Sequence, residues 1–267
     1  MTHLNRRKAL ALMGGTVAAA GLSAPAYAQN KTIKVGALRF TSHSASFIAQ
    51  ERKYFADAGL NVEFEFFQAA TPMAVAIASG DVDYAVTAVS GGLINLAEKG
   101  AIKVIGGALS EESGIDGQKY LASNAAFQAG VTSCAALDGK RYAVTQSGSS
   151  FHYMGSKMAQ AEGIDLSFVP LQKVGAIIGA MKSGQVDGWS IVPHIAKPLA
   201  GSGALHIIGN VADYLPDYQV TTVFTSAKNA ADERGQTESF LNAFSKGADD
   251  YAAAMIDGTA DQDAMVD

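Results

Sequence analysis

The chain has 267 residues, a formal net charge of −5 and 48% hydrophobic residues, enough length and apolar content for a substantial core or two smaller lobes. An acidic, dispersed balance excludes a surface built for nucleic acid or anionic lipid, both of which need clustered Lys and Arg. One cysteine, Cys134, excludes an internal disulfide framework and reads as a small packed residue, not a nucleophile.

The chain opens with Asn5-Arg6-Arg7-Lys8, continues through small and apolar residues from Ala9 to Leu22, and reaches Ala26-Tyr27-Ala28. A basic start, a short apolar centre and small residues at the end predict a secretory signal over 1–28, cleaved after Ala28 and leaving a periplasmic chain that begins at Gln29. The apolar run is interrupted by Gly14 and Gly15 and is too short for a membrane span. Paired arginines fit the twin-arginine route and a general secretory route alike.

The predicted elements then run in order. Ile33 to Leu38 alternates as a strand, and Ala45 to Phe55 has helical spacing that stops before Gly59. Val62 to Phe67 is a second strand, Pro72 to Ser79 a helix with Thr71 as its cap, and Tyr84 to Val89 a third strand. Residues 121–221 repeat the order with Tyr142–Thr145, Phe151–Ala161, Leu166–Leu171, Val174–Lys182 and Gly188–Val192. Gly59 and Gly163, Gly80 and Gly184, and Asp83 and Asp187 share one offset of 104 residues. Asp83 and Asp187 read as turn-fixing carboxylates.

Alternating strands and helices imply an α/β fold of two doubly wound lobes with parallel sheets, which bind ligands at the carboxyl ends of their strands. Lobe 1 is expected over 29–120, lobe 2 over 121–221, and a return to lobe 1 over 222–267. Gln118 to Ala122 and Gln219 to Thr225 read as the two crossings of a hinge. From Ala230 to Ile256 the pattern is one helix with Phe240, Leu241, Phe244, Ala248 and Tyr251 on its buried face.

Strand ends and helix starts nominate the ligand contacts. Arg39, Phe40, Thr41, Ser42 and His43 lead into the first helix, and Ser147, Gly148, Ser149 and Ser150 into its counterpart, where free backbone N–H groups attract anions. Capping alone would also explain those serines. Ser90, Gly91 and Gly92 follow the third strand, with Pro193 and His194 at the equivalent place. Trp189 reads equally as a stacking surface or a core residue, and Gln68 as a strand-end amide or a solvated residue. Nothing resembles a GxSxG elbow, HExxH, a Walker loop or a spaced set of metal ligands, so no catalysis, cofactor or metal is expected.

Taken in order, Phe55-Ala56-Asp57-Ala58-Gly59-Leu60-Asn61-Val62, Ser79-Gly80-Asp81-Val82-Asp83-Tyr84, Leu137-Asp138-Gly139-Lys140-Arg141-Tyr142-Ala143-Val144, Gly148-Ser149-Ser150-Phe151-His152-Tyr153 and Ser183-Gly184-Gln185-Val186-Asp187-Gly188-Trp189 resemble one family. It is that of the periplasmic solute-binding proteins of ABC importers for taurine, alkanesulfonates, nitrate and thiamine precursors, the NMT1/THI5-like group. The resemblance implies a type II periplasmic binding fold, capture of a small polar or anionic solute as a monomer, and delivery to a membrane permease with its ATPase. It also implies some tens of residues beyond Ile256 to complete the first lobe. The alternative it admits is a cytosolic enzyme on the same scaffold, resembling the pyrimidine synthase of thiamine biosynthesis. The export signal favours the binding protein.

Overall fold

The protein is described by a computed structural model over residues 31–112 and 114–266, and the signal and its cleavage site lie outside the described residues. The chain divides into a unit of Met1–Lys31 and a unit of Thr32–Asp267, and the second unit holds all of the strands and helices described.

Its first half runs β1 (Thr32–Ala37), α1 (Ser44–Glu51), α2 (Tyr54–Asp57), β2 (Asn61–Phe66), α3 (Ala70–Ser79), β3 (Tyr84–Ala88), α4 (Gly91–Glu98), β4 (Ile102–Gly107) and the short β5 (Ser110–Glu111). The middle runs β6 (Lys119–Ser123), α5 (Asn124–Gln128), β7 (Arg141–Val144), α6 (Ser150–Glu162), β8 (Ser167–Pro170), α7 (Val174–Lys182), β9 (Gly188–Ile191), α8 (Pro193–Gly201) and β10 (Leu205–Asn210). The chain closes with β11 (Tyr218–Gln219), β12 (Thr221–Ser226), α9 (Ala227–Asp232), α10 (Arg234–Met255) and α11 (Asp263–Val266).

Two five-stranded sheets organise these elements, one ordered β2-β1-β3-β12-β4 and the other β10-β6-β9-β7-β8. Each carries a parallel core, β2-β1-β3 and β8-β7-β9. Neither sheet is wholly parallel, which corrects the expectation drawn from strand–helix alternation. β12 enters the first sheet antiparallel to both β3 and β4, and β6 enters the second antiparallel to both β9 and β10. Both strands follow a crossing instead of a right-handed helical return, so the parallel rule does not govern them.

Gln118 to Ala122 and Gln219 to Thr225 therefore belong mostly to sheets. The ribbon at the crossing is the pair β5–β11, with Tyr218 opposite Glu111 and Gln219 opposite Ser110. β12 is buried from Thr221 to Thr225, as a strand covered on both faces must be, and its Val, Thr and Phe content suits that position.

The repeat has a structural counterpart. Gly80 and Gly184 both take left-handed backbone, with φ of +83° and +71°, ending α3 and α7 before the turns that lead to β3 and β9. Asp83 and Asp187 then each accept a backbone N–H from the start of the neighbouring strand, Lys34 and Arg141, at 2.9 Å. They tie two strands together, a wider role than fixing their own turns. Cys134 is buried, and burial pushes its thiol up to about 11.

The first sheet is roofed by α10. Its buried stripe is Thr237, Phe240, Ala243, Phe244, Gly247 and Ala254, rotated from the face expected, and a break at Glu233 separates it from α9. Phe240 lies stacked between Tyr84 at 4.4 Å and Phe55 at 5.1 Å between ring centroids, and the Tyr84 hydroxyl meets Thr237 Oγ1 at 2.9 Å. Gly247 lets α10 settle on α1, because a Cβ there would come within 2.2 Å of the Ala45 carbonyl oxygen. Gly247→Ala should therefore cost at least about 2 kcal/mol of folding stability, read from the midpoint of chemical denaturation at unchanged slope.

Candidate functional site

Between the two sheets lies a cavity of about 530 Å³ of atom-free space, its mouth included. The first lobe contributes Leu38, Phe40, Ser42, His43, Gln68, Ala69, Ala70, Thr87 and Ala88; the second contributes Thr145, Ser149, Ser150, Phe151, Val174, Ile191 and Val192. Gln118, Val220 and Thr221, beside the crossing, complete the wall. Apolar walls with a few hydroxyls and amides are the usual make-up of a small-molecule pocket.

Among the described residues, no Asp, Glu, Lys or Arg lines this cavity. His43 is almost wholly buried, and desolvation lowers its pKa to about 4, opposed only by the nearby Val86 carbonyl, so the ring is neutral near pH 7. Its Nδ1 meets Ser42 Oγ at 3.1 Å, while Nε2 has no hydrogen-bond partner. Thr87 Oγ1 is likewise buried without a partner. Both residues line the cavity, but these two atoms are turned into the wall and closed off from its space.

The helix starts supply the rest. α3 begins after Ala69 and α7 after Lys173, and neither has a side-chain cap. Thr71 therefore does not cap α3, since the helix starts one residue earlier and carries Pro72 inside its first turn. Ala70 and Val174, the first helical residues, both line the cavity and stand 104 positions apart, the spacing of the repeat. Two uncapped amino ends thus face one space from opposite lobes, with their free N–H groups and positive dipole ends. α6 differs: Ser149 caps it by accepting the His152 N–H.

Of the residues nominated from sequence, Phe40, Ser42, His43, Gln68, Ser149 and Ser150 line this cavity. Arg39, Thr41 and His194 instead line a shallower outer cleft with Phe40, Ser44, Phe47 and Phe66. There the Arg39 guanidinium sits 3.8 Å above the Phe66 ring. Burial lowers the pKa of His194.

Of the two readings of Trp189, the structure takes the core one over the ligand contact: it is fully buried in the second core, edge-on to Phe151, because β9 is covered on both faces. Ser90 caps α4 through the Leu93 N–H, Gly92 packs on Thr71, and Ser147 and Pro193 line neither space. Thr87, Thr145, Gln118 and Thr221 escape a reading of the sequence. The strand-end rule would have found Thr87 and Thr145, whereas Gln118 and Thr221 become visible only once the crossing is known.

The lobes touch at named points. Gly91 N–H donates to the Gly148 carbonyl at 2.8 Å, Thr41 Oγ1 meets His194 Nδ1 at 2.9 Å, and Phe40 packs against hydrophobic residues of both lobes. Gly148 is held for this contact by a backbone φ of +76° and by its own N–H, which donates to His152 Nδ1. The cleft is closed.

The chain matches the NMT1/THI5-like sequence profile over residues 40–254. It belongs to that family. Among solved structures, the alkanesulfonate-binding protein SsuA from Xanthomonas axonopodis pv. citri, bound to MOPS, aligns at 18% identity and a TM-score of 0.69, covering 83% of this chain and 74% of that one. The periplasmic nitrate-binding protein NrtA from Synechocystis PCC 6803 aligns at 15% identity and a TM-score of 0.69, covering 81% and 60%. The periplasmic aliphatic sulphonate binding protein SsuA from Escherichia coli gives 16% and 0.66, covering 84% and 74%. These likenesses establish the periplasmic binding protein fold. No curated protein sequence matches the chain.

Two outcomes follow from the site. Between pH 6.5 and about 4 the unfolded chain takes up a proton at His43 that the folded chain refuses, so His43 lowers stability as the pH falls through that window. The full effect is about 3 kcal/mol, and His43→Gln should flatten that part of a stability–pH curve. Gly91→Pro keeps a residue tolerated at the first helical position but removes the N–H that reaches Gly148. Ligand affinity should drop about fivefold or more, with little change in the melting temperature of the free protein.

Proposed function

We propose that this chain is the solute-capturing component of an ABC importer, acting in the periplasm as a monomer. It holds one small anionic or polar solute between its lobes and passes it to a permease served by an ATPase. The observation that carries the reading is the pair of uncapped helix amino ends, at Ala70 and Val174, that both border one cavity with no Asp, Glu, Lys or Arg among the described residues of its wall. A negative group there gains backbone N–H donors and two positive dipole ends without a buried counter-ion. Thr145 and Ser150 add hydrogen-bonding groups around it. The family and the fold of the sulfonate- and nitrate-binding proteins agree with this reading.

Turnover is no part of the proposal, and the synthase alternative gains nothing from the lining. The one side chain there that titrates within reach of neutral pH, His43, has no acidic or basic side chain beside it in the wall. Among the described residues, no helix is long and apolar enough to cross a membrane. The division into lobes over 29–120 and 121–221, with a return over 222–267, is part of the same proposal. The sheet order supports it, with the boundaries moved to the β5–β11 ribbon.

A thermal-shift screen of the chain without residues 1–28, against sulfonates, nitrate, bicarbonate, carboxylates and pyrimidines, tests this. A true ligand at 100 times its dissociation constant adds about 2.7 kcal/mol, a rise of roughly 5–10 °C for a chain of this size. No stabilisation by any solute, with turnover of one of them, would sink the proposal.

A further inference from the structure

The crossing between the lobes contains a carboxylate that nothing in the structure neutralises. Glu111, on β5, is 1% exposed and forms no ion pair with any described residue. Lys119, eight residues on, is committed elsewhere, to Asp116 at 3.0 Å and Asn210 at 2.9 Å. Instead the Glu111 carboxylate accepts the Gln118 backbone N–H at 3.1 Å with both of its oxygens, and the Gln118 side-chain amide, Nε2, at 3.1 Å with one of them. The intervening loop is shaped for this contact, because a Cβ at Gly117 would stand 2.0 Å from Glu111 Oε2. A buried carboxyl group held by neutral donors is less favourable there than an apolar residue of similar size, which makes its place on the ribbon a candidate for a specific role.

That role is legible from the far side of Gln118, which lines the solute cavity while being 3% exposed. The Gln118 amide turns its NH₂ toward Glu111 Oε1, and its remaining carbonyl oxygen, Gln118 Oε1, is the end left for the cavity. Among the described residues no donor reaches Gln118 Oε1, and it is not one of the fully buried unpaired atoms, which leaves it open to the cavity that Gln118 lines. A wall that presents an acceptor held in place by Glu111 stands in the same cavity as two helix ends that present donors.

We propose that Glu111 is a positioning residue that locks Gln118 with its carbonyl toward the solute, so that the site selects solutes carrying an N–H donor as well as an acidic group. The inference rests on the capture reading above and sharpens it: the preferred solute is zwitterionic or amide-bearing, and its donor end meets Gln118 Oε1. The same carboxylate lies on the ribbon that joins the lobes, so the lock is part of the crossing itself.

Two matched pairs of probes test this by titration calorimetry on the chain without residues 1–28: 2-aminoethanesulfonate against ethanesulfonate, and 3-aminopropanoate against propanoate. The wild type should favour the amino member of at least one pair by about tenfold or more. Glu111→Gln frees the Gln118 amide to turn round, and should bring that preference down about tenfold while the donor-free partner binds as before. Gln118→Met, which keeps Glu111 and the side-chain volume but removes the acceptor, should also abolish the preference, which guards against a Glu111 variant that fails to fold. A general loss of stability would weaken both members of a pair equally and leave their ratio intact. Equal binding of both members by the wild type, or a ratio unmoved by either substitution, overturns the proposal while leaving capture standing. Failure of all four probes to bind, with a donor-free solute captured instead, overturns it as well; failure of every solute overturns capture and this inference together.

Discussion

The placement of β12 is the constraint on which the rest depends. It runs antiparallel between β3 and β4, buried along almost its whole length, and it joins two strands that are otherwise unpaired with each other. Because it arrives from the second lobe, its pairing forces two chain crossings to lie side by side, and β5 and β11 take up that proximity as a short ribbon. The cavity wall at Val220 and Thr221 is the first turn of chain beyond the ribbon, so sheet order and site shape have one cause. α10 follows from it too: the strand delivers the chain to the outer face, where Phe240 slots between Tyr84 and Phe55.

In the proposed capture of an anionic solute, fixed dipoles take the part that cations play in many anion sites. Arg39 stays in the outer cleft over Phe66, and the single ionisable ring inside is held neutral by its burial. A buried cation would need its own solvation replaced in the empty state, whereas helix ends carry their partial charges at no such cost. Closure through Gly91 and Gly148 joins backbone to backbone, a contact with no ion pair for salt to screen.

What the sequence discloses is what repeats. The offset between Ser79-Gly80-Asp81-Val82-Asp83 and Ser183-Gly184-Gln185-Val186-Asp187 locates two equivalent helix ends and two equivalent strand starts, since glycine at a left-handed cap and a carboxylate at a strand edge are local requirements. The same offset links Ala70 to Val174, although alanine and valine carry no hint of a binding role. That role belongs to their backbone, which no side-chain pattern reveals. The antiparallel strands β6 and β12 read as crossings from sequence alone, because a short apolar run, Tyr120-Leu121-Ala122 in β6 or Val- and Thr-rich in β12, carries no mark of its direction in a sheet. Trp189 is ambiguous for a related reason, as burial on both faces of β9 depends on partners from α6 and β6 that are distant in sequence.

The division of the sheets also has a temporal side. The second sheet is drawn from one continuous stretch, Lys119 to Asn210, while the first needs β12, whose partners in β3 lie more than a hundred residues upstream. A ribosome therefore releases a complete second sheet before the first can close. Until Thr221–Ser226 emerges, β3 and β4 each present an unpaired edge, and loop closure over such a distance is slow. The nascent chain must keep those two edges apart from other strands for as long as the second lobe takes to be made.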